Sequence, residues 1–323
     1  RSIWVTGVQT CALPISTYPD PQDHCAICLW HSHCDARRRH DDHLCLVAGI
    51  TKIQTTELRE RGIATTSALA QLPVPLPWKP DRGVRQSYER IREQARVQVQ
   101  SRTTGEPLYE LIDPAPGIGL SLLPEPSPGD IFLDLEGDPF VGDGGLEYLF
   151  GYVTHGDDDQ PTYTHEWALS RDDERRAFER FVDFVMDRWS RYPGLHIYHY
   201  AAYEPSALRR LMGRYATRED ALDRMLRGGL FVDLYTVTRQ GVRASVESYS
   251  IKNLEVFCGF ERPVALVDAR KALATLQACI ELDRAADITD DVKTVVVGYN
   301  RDDCISAPIW RSEERRVGKE CRS

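Results

Sequence analysis

The chain of 323 residues has no excess of positive charge. Its 40 Lys and Arg stand against 49 Asp and Glu, for a formal charge of −9 at pH 7. This argues against a protein that coats nucleic acid by bulk charge, but not against an enzyme whose site is itself a cluster of carboxylates. It also has no apolar run of membrane-spanning length, no internal repeat and no collagen-like or polyampholyte bias. A membrane protein, a fibrous repeat and a disordered polyampholyte are thereby excluded. With 42% hydrophobic and 28% charged residues, the composition fits an ordinary soluble globular chain of roughly two domains. Nothing in it resembles a targeting segment, and a cytoplasmic location is expected.

The two ends read differently from the rest. Arg1–Ser16 (RSIWVTGVQTCALPIS) and Arg311–Ser323 (RSEERRVGKECRS) resemble translated sequencing-adapter DNA and show no helical or strand periodicity. They are expected to be artefacts around an internal fragment of a longer protein. The first carries a charge of +1 and the second +2, so the intervening residues carry −12, with seven of the nine cysteines.

Between these ends the composition divides the chain into four stretches. Residues 17–45 hold Cys25, Cys28, Cys34 and Cys45 among five histidines. Residues 46–75 read as two short helices joined by a glycine turn. Residues 76–128 are rich in proline and read as a linker with one amphipathic helix near Val84–Gln100. From residue 129 to 310 the pattern is that of a compact domain. Strands are predicted at Ile131–Leu135, Glu147–Thr154 and Thr162–Leu169, a long Ser-capped helix at Ser170–Tyr192, a strand at Leu195–Tyr200, and helices from Glu204 onward. That order is an α/β layered fold.

Three constellations carry chemistry. In Phe132-Leu133-Asp134-Leu135-Glu136-Gly137, strand alternation puts Asp134 and Glu136 on one face and Leu133 and Leu135 on the other. Two acids on one face of a buried strand are costly unless a cation neutralises them; the alternative is a solvent-facing edge strand. In Tyr299-Asn300-Arg301-Asp302-Asp303, Tyr299 and Asp303 are four apart and share a helix face, while Asp302 is turned away toward expected solvent. Near His199-Tyr200-Ala201-Ala202-Tyr203-Glu204, a strand gives way to a helix with Glu204 in its first turn.

In this order the three resemble the motifs of the DEDD 3′–5′ exonucleases. Residues 129–310 are similar to the YprB-like ribonuclease H-like domain of predicted RecB-like nucleases, and Ser248-Tyr249-Ser250-Ile251-Lys252-Asn253-Leu254 resembles that group's Tyr-Ser-Leu-Lys-x-Leu helix. The resemblance implies a mixed sheet flanked by helices. It further implies that Asp134, Glu136, Glu204 and Asp303 hold Mg²⁺ or Mn²⁺, and that Tyr299 orients the attacking water. Glu204 and Tyr200 stand where the family has Asp and Asn. Asp233 is a weaker candidate, with a strand-end or cap role as its alternative. Two divalent ions about 3.5–4 Å apart would activate water and stabilise the leaving oxygen.

Cys25-x₂-Cys28-x₅-Cys34 is a metal-ligand spacing, and in a reducing compartment thiolates of this kind suit an iron–sulfur cluster or zinc. The spacing resembles the C-terminal cysteines of RecB-like nucleases that bind a [4Fe–4S] cluster, whose fourth cysteine would lie upstream; Cys45 or a histidine could instead complete a zinc site. Residues 46–72 resemble a helix–hairpin–helix module, for which a phosphate-holding role and a packing role are both open. The expected whole is a metal-dependent 3′–5′ exonuclease acting on DNA or RNA, with a helicase domain in the same full-length chain. The rival is a nucleic-acid-binding or scaffolding domain of the same fold whose catalytic site has drifted.

Overall fold

The computed structural model describes residues 18–155 and 160–320. The amino-terminal stretch 1–16, read above as an artefact, lies outside them. The chain divides into two compact units, Arg1–Glu106 and Pro107–Ser323.

The first unit is helical: α1 (His31–His40), α2 (Lys52–Glu60), α3 (Thr66–Ala70) and α4 (Arg85–Thr104). The expected glycine turn falls at Gly62, whose φ of +81° is a left-handed conformation that glycine adopts without strain. Threonines open both helices of the hairpin. Thr51 accepts from the N–H of Gln54 in a reciprocal capping box, and Thr65 accepts from the N–H of Ala68 at 3.1 Å. Leu44, Val47, Leu58 and Leu69 form the core together with Leu76, Tyr88, Ile91 and Ala95. The last four belong to the stretch predicted as linker. Tyr88, Ile91 and Ala95 recur at helical spacing on α4 and bury that face, so the chain through Glu106 is part of this unit despite its prolines.

The second unit has the expected mixed α/β architecture. Its elements are β1 (Tyr109–Leu111), β2 (Ile131–Asp138), β3 (Leu146–His155), β4 (Pro161–Trp167), α5 (Arg171–Arg191), β5 (Ile197–His199), α6 (Tyr203–Tyr215), α7 (Glu219–Arg227), β6 (Phe231–Asp233), α8 (Leu234–Gly241), β7 (Val242–Ala244), α9 (Ile251–Leu254), α10 (Leu266–Glu281) and α11 (Asp290–Glu320). Five strands form one sheet in the order β4-β3-β2-β5-β6. β3 runs antiparallel to both β2 and β4, whereas β5 lies parallel to β2 and β6 parallel to β5. β1 and β7 form a separate antiparallel pair. Residues 311–320, read above as a terminal artefact, continue the backbone of α11.

Strand alternation assigns the two faces of the sheet. Ile131, Leu133 and Leu135 of β2 pack with Phe178, Phe181 and Val185 of α5 and with Leu208 and Leu211 of α6. Phe132 of β2 and Val153 of β3 face the opposite way, into a cluster with Ile251 of α9 and with Cys304 and Ala307 of α11. β2 is therefore an interior strand covered on both faces, which rules out the edge-strand alternative for its acids.

Candidate active site

Asp134 and Glu136 share the face of β2 that Phe132 begins, so both side chains project toward α11. On α11, Asp303 lies one turn beyond Tyr299 and just before the buried Cys304. One ligand atom each from Asp134, Glu136 and Asp303 lies within 4.8 Å of the others. Among the described residues no other group of three or more His, Cys, Asp or Glu side chains converges in this way.

This concentration of acid is electrostatically uncomfortable. Burial, then the charges of Glu136, Asp303 and Glu204, push the Asp134 carboxyl well above the usual range. Burial and Asp303 raise Glu136 to about 8. The counterweight is two cations. Lys252 on α9 donates from Nζ to Asp303 Oδ2 at 2.9 Å, and Arg262 donates to Asp303 Oδ1 while also holding Glu255. Lys252 lies over the ring of Tyr299, 4.9 Å from its centroid. Burial, followed by the Asp303 charge, lifts the Tyr299 hydroxyl to about 12. The four carboxylates Asp134, Glu136, Asp303 and Glu255 thus face two cations. All three members of the trio are hard oxygen donors, and the cost of ionising them together is what a divalent cation such as Mg²⁺ or Mn²⁺ would relieve.

The remaining candidates distribute as follows. Glu204 sits in the first turn of α6, only 3% exposed, and near enough to raise the Asp134 carboxyl. Its Oε2 lies 3.5 Å from His199 Nδ1, accepts no hydrogen bond, and stands outside the converging trio. The start of α6 is anchored by Tyr203, whose hydroxyl donates to Glu147 at 3.0 Å; Arg210 binds the same carboxylate. Tyr200 turns away and donates its hydroxyl to the carbonyl of Tyr249. Asp233 has the cap role: Oδ1 accepts from the N–H groups of Tyr235 and Ala201 at 3.0 and 2.9 Å.

One expectation changes. Asp302 is not solvated: it is 1% exposed and accepts from the N–H of Val264 at 3.2 Å. The segment leading into α10 covers that flank of α11, so closely that a Cβ on Gly298 would meet Val264 Cγ2 at 2.6 Å. Cys25, Cys28 and Cys34, expected to ligate an iron–sulfur cluster or zinc, are partly buried and form no disulfide, and among the described residues they join no group of three or more converging ligands; their metal role stays a proposal. Cys28 lies just before α1 and Cys34 within it, so the helix sets their spacing.

Three further side chains join the site through tertiary contacts. Asn300 directly follows Tyr299. Its signal is a polar, poor helix-forming side chain three residues before Asp303, within a stripe of Val296, Cys304 and Ala307. Lys252 lies in the quoted helix motif, but its partner is 51 positions away. Arg262 comes from a loop with no local signal at all.

No curated protein and no solved structure matches the chain. The family model described as RNase_H superfamily does match, over residues 131–309. This span runs from the first residue of β2 to beyond Asp303, covers more than half of the chain and contains the whole acidic trio, and the protein belongs to the RNase H superfamily.

Proposed function

We propose that the second unit is a metal-dependent nuclease that hydrolyses phosphodiester bonds of DNA or RNA from the 3′ end. The observation that carries this reading is the convergence of Asp134, Glu136 and Asp303, with Tyr299 one helical turn from Asp303. Asp134, Glu136 and Asp303 would hold Mg²⁺ or Mn²⁺, and the buried carboxylate of Glu204, whose Oε2 lies 3.5 Å from His199 Nδ1, would be the neighbouring ligand for a second ion. Divalent cations in such a site supply Lewis acidity toward the phosphoryl oxygens and a lowered pKa for water.

The chain's own groups do the rest. Tyr299 keeps its proton at neutral pH, because its hydroxyl is held up to about 12. It therefore acts as a hydrogen-bonding guide for water and not as a base. Lys252 and Arg262 carry the positive charge nearest the trio and oppose the repulsion between the acids and a polyanionic substrate. The sequence resemblance supports a wider context: a RecB-like protein whose segment 17–45 closes another nuclease domain, whose hairpin at 46–75 packs or holds phosphate, and whose chain includes a helicase domain.

A second reading has one observation in its favour. Glu204, the fourth acid of the resemblance, is turned to His199 and lies outside the trio; this would suit a domain that binds nucleic acid without cutting it. The two readings separate on single-stranded oligonucleotides labelled at either end and incubated with Mg²⁺ or Mn²⁺. The exonuclease reading expects immediate release of the 3′ label, progressive shortening of the 5′-labelled strand, and no reaction in chelator. Retention of oligonucleotide with no cleavage under any divalent metal would support the binding domain instead.

A further inference from the structure

Asn300 is fully buried on the face of α11 that covers β2 and β3. Each polar atom of its amide has a partner. Nδ2 donates to Asp134 Oδ2 at 2.7 Å and to the Asp134 main-chain carbonyl at 3.1 Å. Oδ1 accepts from the hydroxyl of Tyr163, on β4, at 2.8 Å. The sheet makes room for this amide. Gly151 on β3 is the ladder partner of Asp134, and a Cβ there would come within 1.7 Å of Asn300 Oδ1.

An amide is the side chain this place requires. It must donate twice, to a carboxylate and to a carbonyl, and accept once from a phenol. A carboxylate there would set another negative charge against Asp134, and an apolar group would leave Asp134 Oδ2 and the Tyr163 hydroxyl without these bonds. With Oδ2 tied to the helix on one side and the strand backbone fixed on the other, the Asp134 side chain is confined to one orientation. In that orientation its ligand atom lies within 4.8 Å of those of Glu136 and Asp303.

We infer that Asn300 is a positioning residue: together with Tyr163, it holds the Asp134 carboxylate ready for a divalent cation. The inference rests on the metal-dependent reading of the trio. A purely structural Asn300 would affect melting alone; a positioning Asn300 also changes how the folded protein responds to metal. Outer hydrogen-bond partners of ligating carboxylates typically contribute roughly 10- to 100-fold in metal affinity.

The test titrates Mn²⁺ calorimetrically into the full chain as wild type, Asn300→Ala and Tyr163→Phe, and measures oligonucleotide cleavage across Mn²⁺ concentrations. Asn300→Ala is expected to weaken Mn²⁺ binding roughly 10- to 100-fold. Its loss of turnover should be largely recovered at high Mn²⁺, with KM for the oligonucleotide little changed. Tyr163→Phe should shift the same quantities in the same direction by less, and it carries the test should Asn300→Ala fail to fold. Wild-type Mn²⁺ affinity in every variant that folds overturns the inference and leaves the nuclease reading standing. A wild-type chain that neither binds Mn²⁺ nor cuts overturns the nuclease reading, and this inference with it.

Discussion

Tyr299 lies with its ring under the ammonium of Lys252, and burial, followed by the Asp303 charge, keeps its hydroxyl protonated far above neutral pH. A group so placed can orient water but cannot take its proton, so its removal should cost turnover more than substrate binding. Tyr299→Phe is expected to lower kcat by roughly 100-fold with KM changed about twofold or less, as for loss of a positioned group acting in the transition state; steady-state kinetics on an oligonucleotide checks it. In the first unit, Glu57 illustrates the opposite electrostatic outcome. Burial pushes its carboxyl up, but bonds from the Tyr88 hydroxyl, the Asp81 N–H and Arg61 outweigh that and hold it at about 2, against an ordinary 4.5. A depressed folded-state pKa stabilises above the unfolded value and loses that contribution as pH falls. Glu57→Gln should therefore melt below wild type at pH 7, with the gap closing as pH drops from 4.5 toward 2; a gap of constant size in calorimetric melts would contradict the assignment. At this scale Asp134, Glu136, Tyr299 and Asp303 are legible, because periods of two and of 3.6 place them without knowledge of any partner. Arg262 and the buried Asp302 are not. Their surroundings come from a segment about 40 residues away in the chain, and no local pattern encodes that contact.

The acidic site exists because α11 crosses the face of β2 and β3 at close range, and Gly151 is what permits the approach. Gly151→Ala is expected to displace Asn300. It should lower the melting temperature by an amount corresponding to about 1–3 kcal/mol of overpacking, and it should shrink the stabilisation that Mn²⁺ confers on wild type. An unchanged Mn²⁺-induced shift in a folded variant would show that the contact has no bearing on the site. The long elements were readable from sequence: β2, β3, β4 and α5 lie within a few residues of their predicted bounds, because each spans several periods of its pattern and Ser170 marks a start. β1, β6 and β7 have three residues each, too few for alternation to register, and each exists only through its pairing with a distant strand. The misread linker shows the converse: proline density described the composition of 76–128, while the apolar spacing in α4 decided its packing.

Across the whole molecule the negative charge acquires a location. The interior of an RNase H-superfamily sheet holds three converging acids with two nearby cations, a group whose joint ionisation a metal would favour and through which a polyanionic substrate could be held. Among the described residues no helix is long and apolar enough to cross a membrane. The first unit contributes a separate helical core. The role of the trio in cutting nucleic acid is read by comparing Mg²⁺-dependent release of a 3′ label by wild type with release by the Asp134→Asn and Asp303→Asn variants. Each substitution should lower the rate by about 1,000-fold or more, equivalent to about 4 kcal/mol of barrier, while the fold is retained. Cleavage persisting at the wild-type rate in both variants would contradict that role.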